Sequence, residues 1–242
     1  MSSRPSLTAT SDISGLDDVP MPHPTSTFSR RRTAVAVAVL FFVQMITGMF
    51  GTSLIQAFTD GDPDRTRVTL GVLLMVCSGI AVVGIGLLLY PILRPVNLRL
   101  ALWYPVLRVA EFTVSTACGV YLLAQMHVVP NHLLWVYVPT GLGGLILNYL
   151  LFVSKLVPRP ISVLGLVGYL SLTVGVPLDL LGVTDMNAGP GMLLLVPGFL
   201  FECVALPIWL LARGFTPATT SPERASVIGS RGRTTPTSSA LV

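Results

Sequence analysis

Six stretches of this chain, Thr33–Phe58, Val68–Leu93, Leu100–Met126, His132–Leu156, Pro160–Val183 and Pro190–Arg213, are each more than twenty residues long and almost wholly apolar. A helix rising about 1.5 Å per residue crosses the roughly 30 Å of bilayer hydrocarbon in about 20 residues, so each stretch is long enough to span a membrane. Only 11% of the chain is charged, and its mean hydropathy is +0.76. Soluble domains carry about 25% charged residues. Disorder of the whole chain is excluded as well, because it requires low hydrophobicity and high charge. The predicted fold is all-α, a polytopic six-transmembrane-helix bundle over residues 33–213. Short links between the spans favour an up-and-down arrangement of neighbours.

Residues 1–32 and 214–242 are rich in Ser, Thr and Pro and bury too little apolar area to offset the entropy of ordering; both are expected to be flexible tails. Arg30, Arg31 and Arg32 precede the first apolar run as they would in a signal peptide. The run is too long for a signal-peptide core, and no small-residue cleavage site closes it. It is expected to remain as the first span.

The formal net charge is +4, but the cations are not arranged for nucleic acid. Twelve Lys and Arg residues fall on one side of the spans: Arg4, Arg30–Arg32, Arg94, Arg99, Lys155, Arg159, Arg213, Arg224, Arg231 and Arg233. Only Arg65 and Arg67, beside Asp60, Asp62 and Asp64, fall on the other. By the positive-inside rule both termini are cytoplasmic. The expected partners are therefore the lipid bilayer and an unidentified small molecule or ion. The expected location is a bacterial cell (inner) membrane.

Four charged residues lie in span interiors: Arg108, Glu111, Asp179 and Glu202. A charge at the bilayer centre costs about 2.5–3.5 kcal/mol on insertion scales, so such residues require compensation. On the third span Tyr104, Arg108, Glu111, Ser115 and Cys118 recur at steps of four, three, four and three. They share one helix face, and that face must turn to the bundle interior. Arg108 and Glu111 can pair at i,i+3. By depth, Glu202 on the sixth span, Asn148 on the fourth, Tyr169 on the fifth and Gln44 on the first lie near the same level. With both Glu ionised the cluster carries one net negative charge, and a proton shared with or retained on Glu202 or Glu111 would balance it. The candidate ligand or proton pathway is Arg108, Glu111, Glu202, Asn148, Tyr104 and Tyr169. Asp179 sits near a span end and is expected at the interface. Pro197 and Pro207 flank Glu202, freeing the carbonyls of Leu193 and Cys203 to meet a cation, a polar ligand or only a kink.

Other chemistry lacks its residues. Gly141-Leu-Gly-Gly has no following Lys-Ser/Thr for a phosphate loop. Asp60-Gly-Asp-Pro-Asp64 opens like a calcium loop, but Arg65 stands where Gly is needed and Gly71 where Glu is needed. His127 and His132 lack a third metal ligand, and no histidine lies in a span interior. Cys77, Cys118 and Cys203 form no C-x-x-C pair and no disulfide framework. No catalytic residue, metal site or cofactor is assigned.

The motifs Leu89-Tyr-Pro-Ile-Leu-Arg94, Arg108-x-x-Glu111, Ser154-Lys-Leu-Val-Pro-Arg159 with Val163-Leu-Gly-Leu-Val-Gly168, and Pro197-x-x-x-Phe-Glu202 with Trp209-Leu-Leu-Ala-Arg-Gly-Phe215 occur in that order. Over residues 33–215 the chain resembles a bacterial multi-pass membrane family catalogued as domain of unknown function 4386. Pro160 departs from its pattern, which usually has a bulky residue there. The resemblance implies six spans and no established activity. It also implies that the positions of Arg108, Glu111 and Glu202 belong to the family pattern. Three readings follow: a small-solute, ion or proton-linked transporter or ligand-binding protein; a structural or regulatory membrane partner whose cluster locks packing; and an intramembrane enzyme with a Glu general base.

The orientation is testable in a variant with Cys77, Cys118 and Cys203 replaced. Single cysteines at Asp62 or Val129 should label in intact cells, and those at Asn97 or Val157 only after permeabilisation. The opposite pattern inverts the topology.

Overall fold

Hydrocarbon offers no partner to a backbone N–H or C=O, so an apolar run that enters it must satisfy those groups within itself. The computed structural model, which describes residues 27–59, 64–129, 131–186 and 189–216, meets this demand with helices, and among the described residues there is no strand. These helices are α1 (Thr27–Thr59), α2 (Arg65–Leu93), α3 (Leu98–Gln125), α4 (His132–Ser154) and α5 (Arg159–Leu180). The sixth span is composite: a 3₁₀ segment Gly189–Leu194, α6 (Val196–Leu200), a π-helical turn Phe201–Ala205, and α7 (Leu206–Ala212). Six helical segments are long and apolar enough to cross a membrane, the sixth being Gly189–Ala212 as a whole.

The span ends follow from local chemistry. Asp64 accepts a hydrogen bond from the Thr66 N–H and starts α2, three residues before the apolar run proper. Asn97 Oδ1 accepts from the N–H groups of Arg99 and Leu100 and starts α3. Pro158 precedes α5 and Pro160 sits in its first turn, where a missing N–H costs nothing. Met126 and Lys155 close α3 and α4 in the left-handed region. Arg30–Arg32 lie inside α1, which begins at Thr27, six residues before the first apolar run. Most of the expected tails, 1–26 and 217–242, together with residues 60–63 of the acidic loop, lie outside the described residues.

Each helix packs on the next from α1 to α5, α5 packs on α6, and α7 returns to α1, so the bundle is a ring. The two described ends meet on one side of it. A Cβ on Gly214 would lie 3.8 Å from that of Ala34, and the Thr216 N–H donates to the Leu156 carbonyl at 2.9 Å. This is called the terminal side below, and the opposite one the far side. Phe41, Leu89, Tyr104, Leu147, Leu150, Phe201 and Leu210 fill the ring, while Leu73, Ile80, Leu87, Leu170 and Ile208 point outward. Such outward leucines and isoleucines suit a protein whose solvent is lipid.

Where α5 meets α6 the backbones nearly touch. A Cβ built on Gly168 would fall 2.3 Å from the Gly198 nitrogen, yet one on Gly198 would lie 3.8 Å from the nearest Gly168 atom. Gly168→Ala should therefore force the two helices apart and cost roughly 1–3 kcal/mol. Gly198→Ala should be close to neutral. Thermal unfolding of the two variants in detergent checks this asymmetry, and equal losses would refute it.

Candidate functional site

The sixth span does not run as one α-helix, although α2, α3, α4 and α5 each carry an internal proline and stay α-helical. Pro207 has no N–H to give the Cys203 carbonyl, and its ring would collide with that carbonyl in regular α geometry. The chain widens by one residue instead: the Leu206 N–H bonds the Phe201 carbonyl five residues back. Single π turns of this kind re-aim side chains and concentrate at functional sites. Here the turn carries Glu202. Before Pro197 the chain is 3₁₀ to Leu194 and the α ladder starts at Val196.

Glu202 meets the polar face of α3. Arg108 is 2% exposed, and its Nη1 donates to Glu111 Oε2 at 2.7 Å. Its Nη2 lies 3.9 Å from Glu202 Oε1, so one guanidinium pairs with two carboxylates on different spans. Tyr169 Oη on α5 donates to Glu202 Oε1, and Gln44 Nε2 on α1 donates to Glu202 Oε2 at 3.3 Å. The Arg108 Cζ stands 5.2 Å from the centre of the Tyr104 ring, one turn earlier on α3. Ser78 Oγ donates to the Gln44 carbonyl at 3.0 Å, holding α2 to α1 beside the site.

Small residues make room for this cluster. A Cβ on Gly86 would lie 3.5 Å from the Arg108 Cβ, and one on Gly143 would lie 3.8 Å from Arg108 Nε. Gly144 has no side chain because the Tyr169 ring lies against its Cα, where a Cβ would fall 2.0 Å from Cδ1. Tyr104 Oη and Arg108 Nε are buried with no hydrogen-bond partner among the described residues. The centre thus keeps donor capacity and, with both carboxylates ionised, one negative charge in excess.

Of the six residues expected to converge, five do: Tyr104, Arg108, Glu111, Tyr169 and Glu202. Asn148 does not reach the carboxylates. Its Nδ2 donates to the Gly144 carbonyl at 2.9 Å, and its Oδ1 occupies the place a Cβ on Gly165 would take. It serves the α4–α5 contact, because its helix face points to α5 at that level. Gln44 proves a direct partner of Glu202. Its mid-span position was the only sequence signal, since depth says nothing of lateral direction. Asp179 Oδ2 accepts the Met186 N–H at 2.6 Å and ties the α5 end to the following link.

Two spaces adjoin the cluster on the far side. Ser115 and Cys118, the outer members of the α3 stripe, line a small cavity with Thr52, Gln56 and His132. A groove of about 1370 Å³, open sideways, runs between α1 and the start of the sixth span. Gln44, Met45, Met49, Ser53, Ser78 and Phe199 are among its lining, so its floor is the residue bonded to Glu202. Among the described residues no three His, Cys, Asp or Glu side chains are grouped to hold a metal ion.

The sequence model of the family described as domain of unknown function (DUF4386) matches residues 35–132 and 115–214, taking in every residue of the cluster. No curated protein and no solved structure matches the chain.

Breaking one partner of a buried ion pair is far more costly than removing all of them. Arg108→Met should lose roughly 3–5 kcal/mol by leaving two carboxylates uncompensated. Adding Glu111→Gln and Glu202→Gln to it should recover most of that loss. Unfolding curves of the single and triple variants in detergent decide it; equal losses would show that Arg108 is not charge-compensated in this way.

Proposed function

The chain belongs to the DUF4386 family, and we propose that it is an integral membrane protein that binds and translocates a small solute or ion, linked to a proton or cation, through Arg108, Glu111 and Glu202. One observation carries this reading: Glu202 lies one hydrogen bond, through Gln44, from an open groove. A carboxylate that only locked helices would be expected to be sealed on every side. The excess negative charge favours a cationic or protonated passenger. Tyr169 and Gln44 orient Glu202, the Tyr104 ring and the flanking glycines seat Arg108, and Arg108 couples the occupancy of one carboxylate to the other. Methionines 45, 49 and 192 give the groove wall an adaptable apolar lining.

In this proposal the membrane is the bacterial inner membrane and both termini are cytoplasmic. Supporting that orientation is the twelve-to-two division of basic residues across the spans. The terminal side is then cytoplasmic, and the groove opens on the far, outer half.

A second reading keeps the cluster purely structural. The Arg108–Glu202 pair favours it by tying α3 to the sixth span, which is not its neighbour in the ring. The two readings part on Glu202→Gln, which keeps side-chain size and can still accept from Tyr169. The transport reading expects this variant to fold as the parent does. It also expects loss of small molecules that co-purify with the parent, by mass spectrometry, and of dye-reported proton flux into proteoliposomes. Met49→Trp, which fills the groove without touching the cluster, should cut flux at least tenfold with the unfolding temperature unchanged. Parent-like flux and ligand content in both variants would leave the structural reading standing.

A further inference from the structure

The terminal face carries a feature unrelated to the buried cluster. Arg30, Arg31, Arg32, Arg94, Arg99, Lys155, Arg159 and Arg213 lie there, and among the described residues no Asp or Glu does. Three of these cations converge on one cleft of about 1030 Å³, mouth included, formed by the α4–α5 link and the end of α7. Lys155, Arg159 and Arg213 line it with Trp209, and all three cations are exposed.

The cleft is built on fixed parts. Leu156, Val157 and Phe215 beneath it are buried, and the Thr216 N–H bonded to the Leu156 carbonyl staples the chain after α7 to the α4–α5 link. The Arg213 guanidinium stands 5.6 Å from the centre of the Trp209 ring, and that of Arg159 stands 5.8 Å from the centre of the Phe152 ring. An aromatic face positions a guanidinium without using its N–H groups. The two arginines therefore keep their donors, and none of the three cations is paired with a carboxylate among the described residues. The buried Trp209 Nε1 also lacks an acceptor there. The 22-residue α5 starts at Arg159, adding the positive end of its dipole.

Cations held at fixed positions with unused donors recognise a phosphate, to which arginine can donate two parallel hydrogen bonds. The cleft lies where the spans leave the membrane, and the helices that run from it into the hydrocarbon carry exposed Val153 on α4 and Ile208 and Leu211 on α7. We propose that Lys155, Arg159, Arg213 and Trp209 form a binding site for the phosphate headgroup of an anionic phospholipid whose acyl chains lie along α4 and α7. The site sets a specific lipid at the joint where the α4–α5 link holds the end of the sixth span.

Native mass spectrometry of the delipidated full chain, titrated with phosphatidylglycerol or phosphatidylcholine, tests this. The parent should bind phosphatidylglycerol in preference to phosphatidylcholine. Lys155→Gln, Arg159→Gln and Arg213→Gln together should weaken that binding roughly a hundredfold, about fivefold per charge removed. Lys155→Arg, which keeps the charge where no ring seats the cation, should retain most of it. The control Arg94→Gln with Arg99→Gln, on the same face but outside the cleft, should bind as the parent does. Should the triple variant fail to fold, Arg213→Gln alone, with its about fivefold loss, decides. Equal binding of the two lipids, an unaffected triple variant, or an equal loss in the control would each overturn the proposal. Displacement of the lipid by an equal concentration of inorganic phosphate would make this a free-anion site and overturn it too.

Discussion

A guanidinium within the hydrocarbon has to bring its counter-charges with it, and the arrangement of this bundle follows from that demand on Arg108. One carboxylate comes from the same helix, a turn away. The other has to come from elsewhere, and the sixth span supplies it. Pairing Arg108 with Glu202 sets the depth and rotation of the sixth span against α3, although the two are not neighbours in the ring. Tyr169 and Gln44 then fix α5 and α1 to the same carboxylate. One side chain, Glu202, is thus contacted from three other helices.

The irregularity of the sixth span belongs to the same constraint. Pro207 leaves the Cys203 carbonyl without its N–H, and the sixth span, unlike the proline-bearing helices α2 to α5, takes up one extra residue beside it. The π turn absorbs it at the residue that must reach Arg108. The segments on its two sides then have different neighbours: α7 packs on α1, whereas the 3₁₀ segment packs on α5 and leaves α1. The ring is closed on its terminal half and parted on its far half. The groove down to Gln44 is the consequence of that parting.

Much of this was legible in the residues themselves. Six apolar runs gave six spans, because in lipid length and apolarity decide the matter. The steps of four, three, four and three from Tyr104 to Cys118 gave the buried face of α3, since a helix has one period. Depth counting brought Glu202 and Tyr169 to Arg108. It failed for Asn148, which has the right depth and the wrong direction, because rotation about a helix axis is set by neighbours such as Gly165. The stripe on α3 was legible as one face but not as two places: its first three residues enter the ion-pair cluster and its last two line a separate cavity. That cavity is walled by α1, α2 and α4 beside α3, and the sequence does not show which neighbours meet a stripe at each level. The π turn was half legible, as two prolines around a glutamate, but which bond register would absorb Pro207 depends on what Glu202 must reach.

The charges left outside the hydrocarbon bear on how the proposed passage would be entered. Among the described residues the terminal face carries eight cations and no acid, whereas the far face carries Asp64, Asp179 and Asp185 against Arg65 and Arg67. One of these far-side pairs, Arg67 with Asp64 at 3.5 Å, is exposed and screened by water. In the proposed reading, a cation approaching from the terminal side would meet, among the described residues, a rim of cations before it reached the negative centre. From the far side it would meet no such rim among the described residues, and the proposed route is the groove lined by Gln44 beside Glu202. Release on the terminal side would then require that rim to be neutralised. A bound phosphate at Lys155, Arg159 and Arg213 removes part of its field at the point where the sixth span ends. The buried cluster and the surface cleft are built from different residues, but in the proposed reading they would act on the same charge balance across the bundle.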